Sequence, residues 1–275
     1  MRYGTSFLIP ALLTCLAAVF CLQWRQNAFA ADFAGYPDEP AHYLSAVMVS
    51  NYFSDGVPGN PKRYAERFYE RYPRLGIGHW PPVSYLLSAP WIILFGPSRL
   101  SVMIWNSIFT ALFAFLLFPV LSRFVSQPAA LLGSLSLLIT PLVCVESTKF
   151  MIDILTGVFM VSATWAFALF LQTGRIAWVY AFSALAILAI LTKGNAFALA
   201  FVPPLSILLS QRWKALRTYH LWIAGALVAV ICIPWYVATY KMIATGLPER
   251  RSLFDISTVV FFGKALWRQL GPPLS

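Results

Sequence analysis

Residues 83–96 read Val-Ser-Tyr-Leu-Leu-Ser-Ala-Pro-Trp-Ile-Ile-Leu-Phe-Gly, and whether this run crosses a membrane decides on which side everything after it lies. A helix needs about 20 apolar residues to traverse the hydrocarbon core. This run is shorter, follows Pro81-Pro82 and is interrupted by Pro90, which removes a backbone donor and crowds the preceding turn. It is predicted to be a re-entrant or interfacial helix, not a span.

Working outward, apolar runs long enough to cross lie near residues 6–23, 99–121, 129–146, 153–171, 176–191, 194–210 and 220–240. With 83–96 not crossing and the N-terminus inside, Arg2, Arg123, Arg175 and the cluster Arg212, Lys214, Arg217 all fall on the cytoplasmic side, where short loops carry their basic residues. Were 83–96 to cross, that cluster would face outward. The chain is 59% hydrophobic and 11% charged with a mean hydropathy of +0.71, too apolar for a soluble domain of 275 residues. The predicted fold class is an all-α polytopic membrane protein with a long first outer loop, 24–98, carrying interfacial helices. Residues 1–240 read as the transmembrane module, and 241–275 as the start of a further, incomplete outer loop.

The net charge of +10 does not point to nucleic acid, because the apolar blocks leave no continuous soluble face to present it. Membrane lipids with anionic headgroups, or a lipid phosphate, are the expected partners. Cys15, Cys21, Cys144 and Cys232 lie in apolar runs without disulfide or metal spacing. Arg2, the run 7–22 and the triplet Ala28-Phe29-Ala30 imitate a cleaved signal peptide, but Trp24 and Arg25 intervene, so an uncleaved anchor is expected.

This topology places all ten acids outside or at outer helix ends. Four constellations there could carry chemistry. In Gly35-Tyr-Pro-Asp38-Glu39-Pro-Ala-His42-Tyr43, a carboxylate either caps the amphipathic helix that follows through Leu44, Val47, Met48 and Tyr52, or acts as a general base toward a hydroxyl. In 62–74, Arg63, Arg67 and Arg71 alternate with Tyr64, Phe68 and Tyr72, a pattern suited to lipid headgroups or to plain interfacial anchoring. His79-Trp80-Pro81-Pro82-Val83-Ser84-Tyr85-Leu86-Leu87 leads into the short apolar run, with His79 an interfacial residue or a substrate contact. In Glu146-Ser-Thr-Lys149-Phe-Met-Ile-Asp153, Lys149 and Asp153 could pair one helical turn apart. Lys193, in Leu191-Thr-Lys-Gly194, is a topological anchor or a point charge for a phosphate.

In this order these elements resemble the GT-C superfamily of membrane glycosyltransferases, in particular the branch of protein O-mannosyltransferases and the lipid A aminoarabinose transferase. The resemblance rests on Asp38, Glu39 and Tyr43; on His79, Pro81, Pro82, Tyr85, Leu86 and Leu87; on Asp153; and on Leu191 to Gly194. It implies transfer of a sugar, with inversion, from a polyprenyl-phosphate carrier to a hydroxyl of a lipid, glycan or protein acceptor. The reaction would occur on the periplasmic or exterior face of a bacterial inner (plasma) membrane. Asp38 would be the base, with Glu39 and Asp153 orienting the acceptor or assisting ionisation. From chemistry, Lys149, Lys193 or Arg74 would neutralise the departing phosphate, and Tyr43, His79 and Tyr85 would contact substrate. Trp80 departs from the family pattern, standing where relatives often place His or Lys. Some members use a divalent metal, but no tight ligand spacing appears and no metal or other cofactor is predicted. The rival reading, a non-enzymatic transporter or lipid flippase, fits less well, since transporters place ionisable groups near the bilayer midplane and these spans are nearly free of them.

Overall fold

The computed structural model describes residues 7–33, 36–76, 78–245, 260, 261 and 263–267; Arg2, Gly35, Glu249, Asp255 and most of 241–275 lie outside these. Among the described residues the regular structure is helical. The order is α1 (Leu8–Arg25), α2 (Glu39–Ser54), α3 (Pro61–Arg71), α4 (Val83–Phe95), α5 (Arg99–Phe115), α6 (Phe118–Leu121), α7 (Gln127–Ser136), α8 (Pro141–Ser147), α9 (Asp153–Thr173), α10 (Ile176–Ile190), α11 (Val202–Ser210) and α12 (Tyr219–Thr245).

Four of the seven expected spans are helices long and apolar enough to cross: Leu8–Arg25, Arg99–Leu121, Asp153–Thr173 and Tyr219–Lys241. The expected span 129–146 is instead a bent pair of helices, Gln127–Ile139 and Pro141–Ser147 at 71°, the geometry of a broken span or of a re-entrant loop. Thr140 is extended (ψ 135°) ahead of Pro141, which opens α8 without an N–H to give. The runs expected to span at 176–191 and 194–210 form apolar helices of 15 and 17 residues. The second gains length because Gly194–Phe201 is a 3₁₀-helix, rising about 2.0 Å per residue against 1.5 Å in α11, so the pair reaches roughly 30 Å. By the same measure α4, 13 residues with Pro90 inside, is roughly 20 Å long and too short to cross as one straight helix.

Leu209, Ile139, Leu94 and Trp24 are each three-quarters or more exposed, and large apolar side chains are exposed along most helices. Surfaces of this kind are solvated by lipid. The chain is an integral membrane protein.

The fold divides into two compact units, residues 1–40, 97–154 and 244–275 in the first and 41–96 and 155–243 in the second. In the first, α1 lies along α5 over a core of Cys15, Val19, Ala111, Ala114, Leu138, Val143 and Ile154, where small side chains permit close helix approach. In the second, Phe167, Phe170 and Phe182 pack with Ala163, Ala166, Ala186, Ala189 and Leu199. Here the Ser183 hydroxyl donates to the Ala224 carbonyl at 2.9 Å, tying α10 to α12.

Helix α2 departs from its expected stripe. Its fully buried positions are Glu39, His42, Ser45, Ala46 and Ser50, whereas Leu44, Val47 and Met48 are only half-buried. The polar groups turn inward, Ser45 and Ser50 donating to the Ala41 and Val47 carbonyls of their own helix at 2.7 and 2.8 Å; the apolar ones keep the exposure that a membrane interface tolerates. The pattern in 62–74 is helical as far as Arg71, started by Pro61 and by the Asn60 carboxamide oxygen, which accepts from the Lys62 and Arg63 amides at 2.9 and 3.3 Å.

Candidate active site

In the first unit the backbone of residues 146–150 is held by side chains that reach it from three helices. Gln23 of α1 donates its amide to the Ser147 carbonyl at 2.7 Å, and Asn106 of α5 donates to the carbonyls of Ser147 and Lys149 at 2.8 and 2.9 Å. Arg99, first residue of α5, spends its whole guanidinium here: Nε donates to the Ala28 carbonyl, Nη2 to the Thr148 carbonyl, both at 2.8 Å, and Nη1 to the Glu39 carboxylate. The Phe33 ring covers it, 4.8 Å from centroid to guanidinium. The same Glu39 oxygen accepts the Phe150 amide at 2.8 Å, and Glu39 is 1% exposed. A carboxylate so buried persists because a cation and a backbone donor both meet it.

Asp38, the preceding residue, is half-buried at the start of α2, and among the described residues no hydrogen bond or ion pair engages its carboxylate. Its lone pairs are available, whereas those of the adjacent Glu39 oxygen are consumed. Lys149 holds its ammonium 4.3 Å from the Tyr36 ring centroid. It precedes α9, which Asp153 opens half-buried, so the expected pairing of the two on one helix face is corrected: residues 148–152 are not helical.

In the second unit the elements around His79, Pro81-Pro82 and Leu191 to Gly194 meet. The Val83 amide donates to the Leu191 carbonyl at 3.0 Å, and the Tyr236 hydroxyl donates to the Ile190 carbonyl at 2.7 Å, so the end of α10 is fixed from both sides. His42 is 1% exposed, its Nδ1 2.8 Å from the Tyr85 hydroxyl, its ring 4.4 Å from that of Trp80, which in turn meets His79 edge-on at 4.5 Å. Burial of the imidazole, with Lys193 and then His79 adding positive charge nearby, pushes its pKa down to about 3, so the ring is neutral. His42 Nε2 has no hydrogen-bond partner among the described residues. The loop closes tightly: the Gly76 amide donates to the Ser45 hydroxyl at 3.3 Å, and a Cβ on Gly76 would stand 2.5 Å from the Trp80 ring.

Of the remaining predicted site residues, Tyr85 is thus buried as the partner of His42, His79 is half-buried against Trp80, and Tyr43 is half-buried with its phenol pKa raised by burial. Lys193 caps the 3₁₀-helix with extended backbone (φ −152°, ψ 135°), and Arg74 lies exposed in the loop after α3. Gln23, Arg99, Asn106 and His42 hold these elements in place, and sequence reasoning did not single them out. Among the described residues no three His, Cys, Asp or Glu side chains gather as metal ligands, and with Glu39 committed to Arg99 the acids present do not form a cage.

The family model for dolichyl-phosphate-mannose-protein mannosyltransferases matches residues 79–237, more than half of the chain. No match is found among curated protein sequences. Among solved structures, the fold is similar to ArnT from Cupriavidus metallidurans in the apo state, with a TM-score of 0.62 and 20% identity over 97% of this chain and 50% of that one. The same protein bound to undecaprenyl phosphate gives a TM-score of 0.55 and 19% identity over 96% and 50%. The chain therefore spans half the length of that protein. With four crossing-length helices and this family match, the chain belongs to the dolichyl-phosphate-mannose-protein mannosyltransferase family, and its fold is that of the GT-C membrane glycosyltransferases.

Proposed function

We propose that the chain is the transmembrane module of an inverting glycosyltransferase that moves a sugar from a polyprenyl-phosphate carrier to a hydroxyl acceptor on the extracytoplasmic face of a bacterial inner membrane. Membership of a mannosyltransferase family supports the reaction class, and the undecaprenyl phosphate on the similar ArnT supports the carrier. In this reading the acceptor oxygen forms a bond to the anomeric carbon as the bond from that carbon to the carrier phosphate breaks; the hydroxyl proton passes to Asp38, and the carrier leaves as its phosphate. A single displacement inverts the anomeric centre.

The observation that carries the proposal is the contrast within the pair Asp38-Glu39. Asp38 is the member with an uncommitted carboxylate, and Glu39, locked to Arg99, sets where the start of α2 is held. Asp153 orients the acceptor. Lys149, Lys193 and Arg74 supply positive charge for the phosphate, and Tyr43, His79 and Tyr85 contact substrate. Residues 1–240 form the module.

The test is Asp38→Asn, assayed in detergent for transfer from a polyprenyl-phosphate sugar. The rate is expected to fall by about 10²–10⁴-fold, the usual contribution of a positioned base, with an unchanged unfolding midpoint because no contact is removed. Undiminished transfer by this variant would falsify the assignment of Asp38.

A further inference from the structure

We propose that the end of the second unit remote from Lys193 holds a binding site for the headgroup of an anionic phospholipid. A cleft of about 600 Å³ opens there between the last turn of α9, at Phe170 and Leu171, and the loop from α11 to α12, which contributes Arg212, Trp213, Lys214 and Thr218. The cleft joins a cationic rim to an apolar wall, the two halves of a phospholipid.

The electrostatics demand an anion from outside the chain. No Asp or Glu occurs between Asp153 and Glu249, while Arg175, Arg212, Lys214 and Arg217 all belong to the turns at this end. The other acids of this unit are Asp55, Glu66 and Glu70, in and around α2 and α3; Asp55 accepts from Tyr64 at 2.9 Å and Glu66 lies 3.8 Å from Lys62. Helix dipoles do not help. The ends of α9 and α11 contribute about −0.5 charge each and the starts of α10 and α12 about +0.5 each, so they cancel. Among the described residues no carboxylate pairs with these four positive charges. Nor is Arg212 or Lys214 engaged by a side chain among the described residues.

The depth also fits. Trp213, Tyr219 and Trp222, 50%, 64% and 65% exposed, form an aromatic band of the kind found at headgroup level. Leu209 and Leu205, about one and two turns deeper along α11, are exposed as acyl-chain neighbours. Trp213 is braced by its indole N–H, which donates to the Gln211 carboxamide oxygen at 2.9 Å, and Trp222 donates to the Leu216 carbonyl at 3.0 Å. The rim is thus ordered before a ligand arrives, which lowers the entropic cost of binding.

The test is native mass spectrometry of the full chain in detergent, titrated with phosphatidylglycerol and with phosphatidylcholine of the same acyl chains. Phosphatidylglycerol is expected to bind more tightly, and the double variant Arg212→Gln/Lys214→Gln to weaken it about 30-fold, two cations at a membrane surface contributing about fivefold each, while leaving phosphatidylcholine unchanged. The control Arg25→Gln/Lys241→Gln removes the same charge elsewhere and is expected to stay within threefold of the wild type. Equal losses in the two double variants would mean diffuse attraction and overturn the site, as would equal affinity for the two lipids. Displacement of the lipid by millimolar inorganic phosphate would overturn the lipid assignment in favour of a free anion.

Discussion

The Arg99 node of the first unit and the His42 cluster of the second both bury polar groups, by opposite means. Around Arg99 the charges are kept and each guanidinium nitrogen finds an acceptor: the Ala28 carbonyl, Glu39 and the Thr148 carbonyl. Around His42 the charge is given up, since the ring is neutral, held by one hydroxyl and pressed against Trp80. The difference follows from what each must hold. Residues 146–149 present a row of carbonyl oxygens, which amide and guanidinium donors satisfy and a neutral aromatic would not. The surroundings of His42 already contain the Lys193 ammonium, beside which a second cation would be repelled.

The comparison breaks most visibly at Arg99. Arg99→Met leaves Glu39 buried without its cation, and a loss of about 3–5 kcal/mol is expected in equilibrium unfolding in mixed micelles. Adding Glu39→Gln to that variant removes the stranded charge while keeping an acceptor for the Phe150 amide, and is expected to restore part of the loss. No recovery would show that the lost carbonyl contacts, not the charge pair, set the cost.

At the other cluster Gly76→Ala drives a methyl into the Trp80 ring, and a cost of about 1–3 kcal/mol is expected from forced repacking. A cost below a few tenths would mean that Trp80 is free to move and does not press on His42.

The third test is pH. Because the folded-state pKa of His42 lies below the ordinary value, the unfolded chain takes up the proton first as pH falls. The stabilisation is present above about pH 6.5 and is lost below it, down to the folded-state value of about 3. Between pH 7 and 5 the loss is about 2 kcal/mol for this one group, taking 6.5 for the unfolded ring. Measured against His42→Asn, the wild type is expected to show that extra fall; identical profiles would place the origin elsewhere.

Much of this was legible in the sequence, for physical reasons that also explain what was not. Pro81, Pro82 and Pro90 announce a short helix because proline acts locally, and α4 is that helix. The motifs His79 to Leu87 and Leu191 to Gly194 were visible separately, but that the Val83 amide meets the Leu191 carbonyl depends on chain folding across more than a hundred residues, which no spacing encodes. Gln23, Arg99 and Asn106 sit within or at the edge of apolar runs, where averaging over a window registers a span and discounts the polar interruption. Each such interruption was itself the signal, since a polar side chain in an apolar helix needs a partner. The break at Thr140 was announced by Pro141 and overridden by the hydropathy of its flanks.

The grip of Arg99 on the Ala28 carbonyl bears on how the protein can be produced. A vector that swaps residues 1–30 for a foreign leader, trusting the Ala28-Phe29-Ala30 triplet as a processing site, would discard both that oxygen and the Gln23 amide bound to Ser147. The product would reach its membrane short of two fastenings, so a leader or tag should leave residues 23–28 in place.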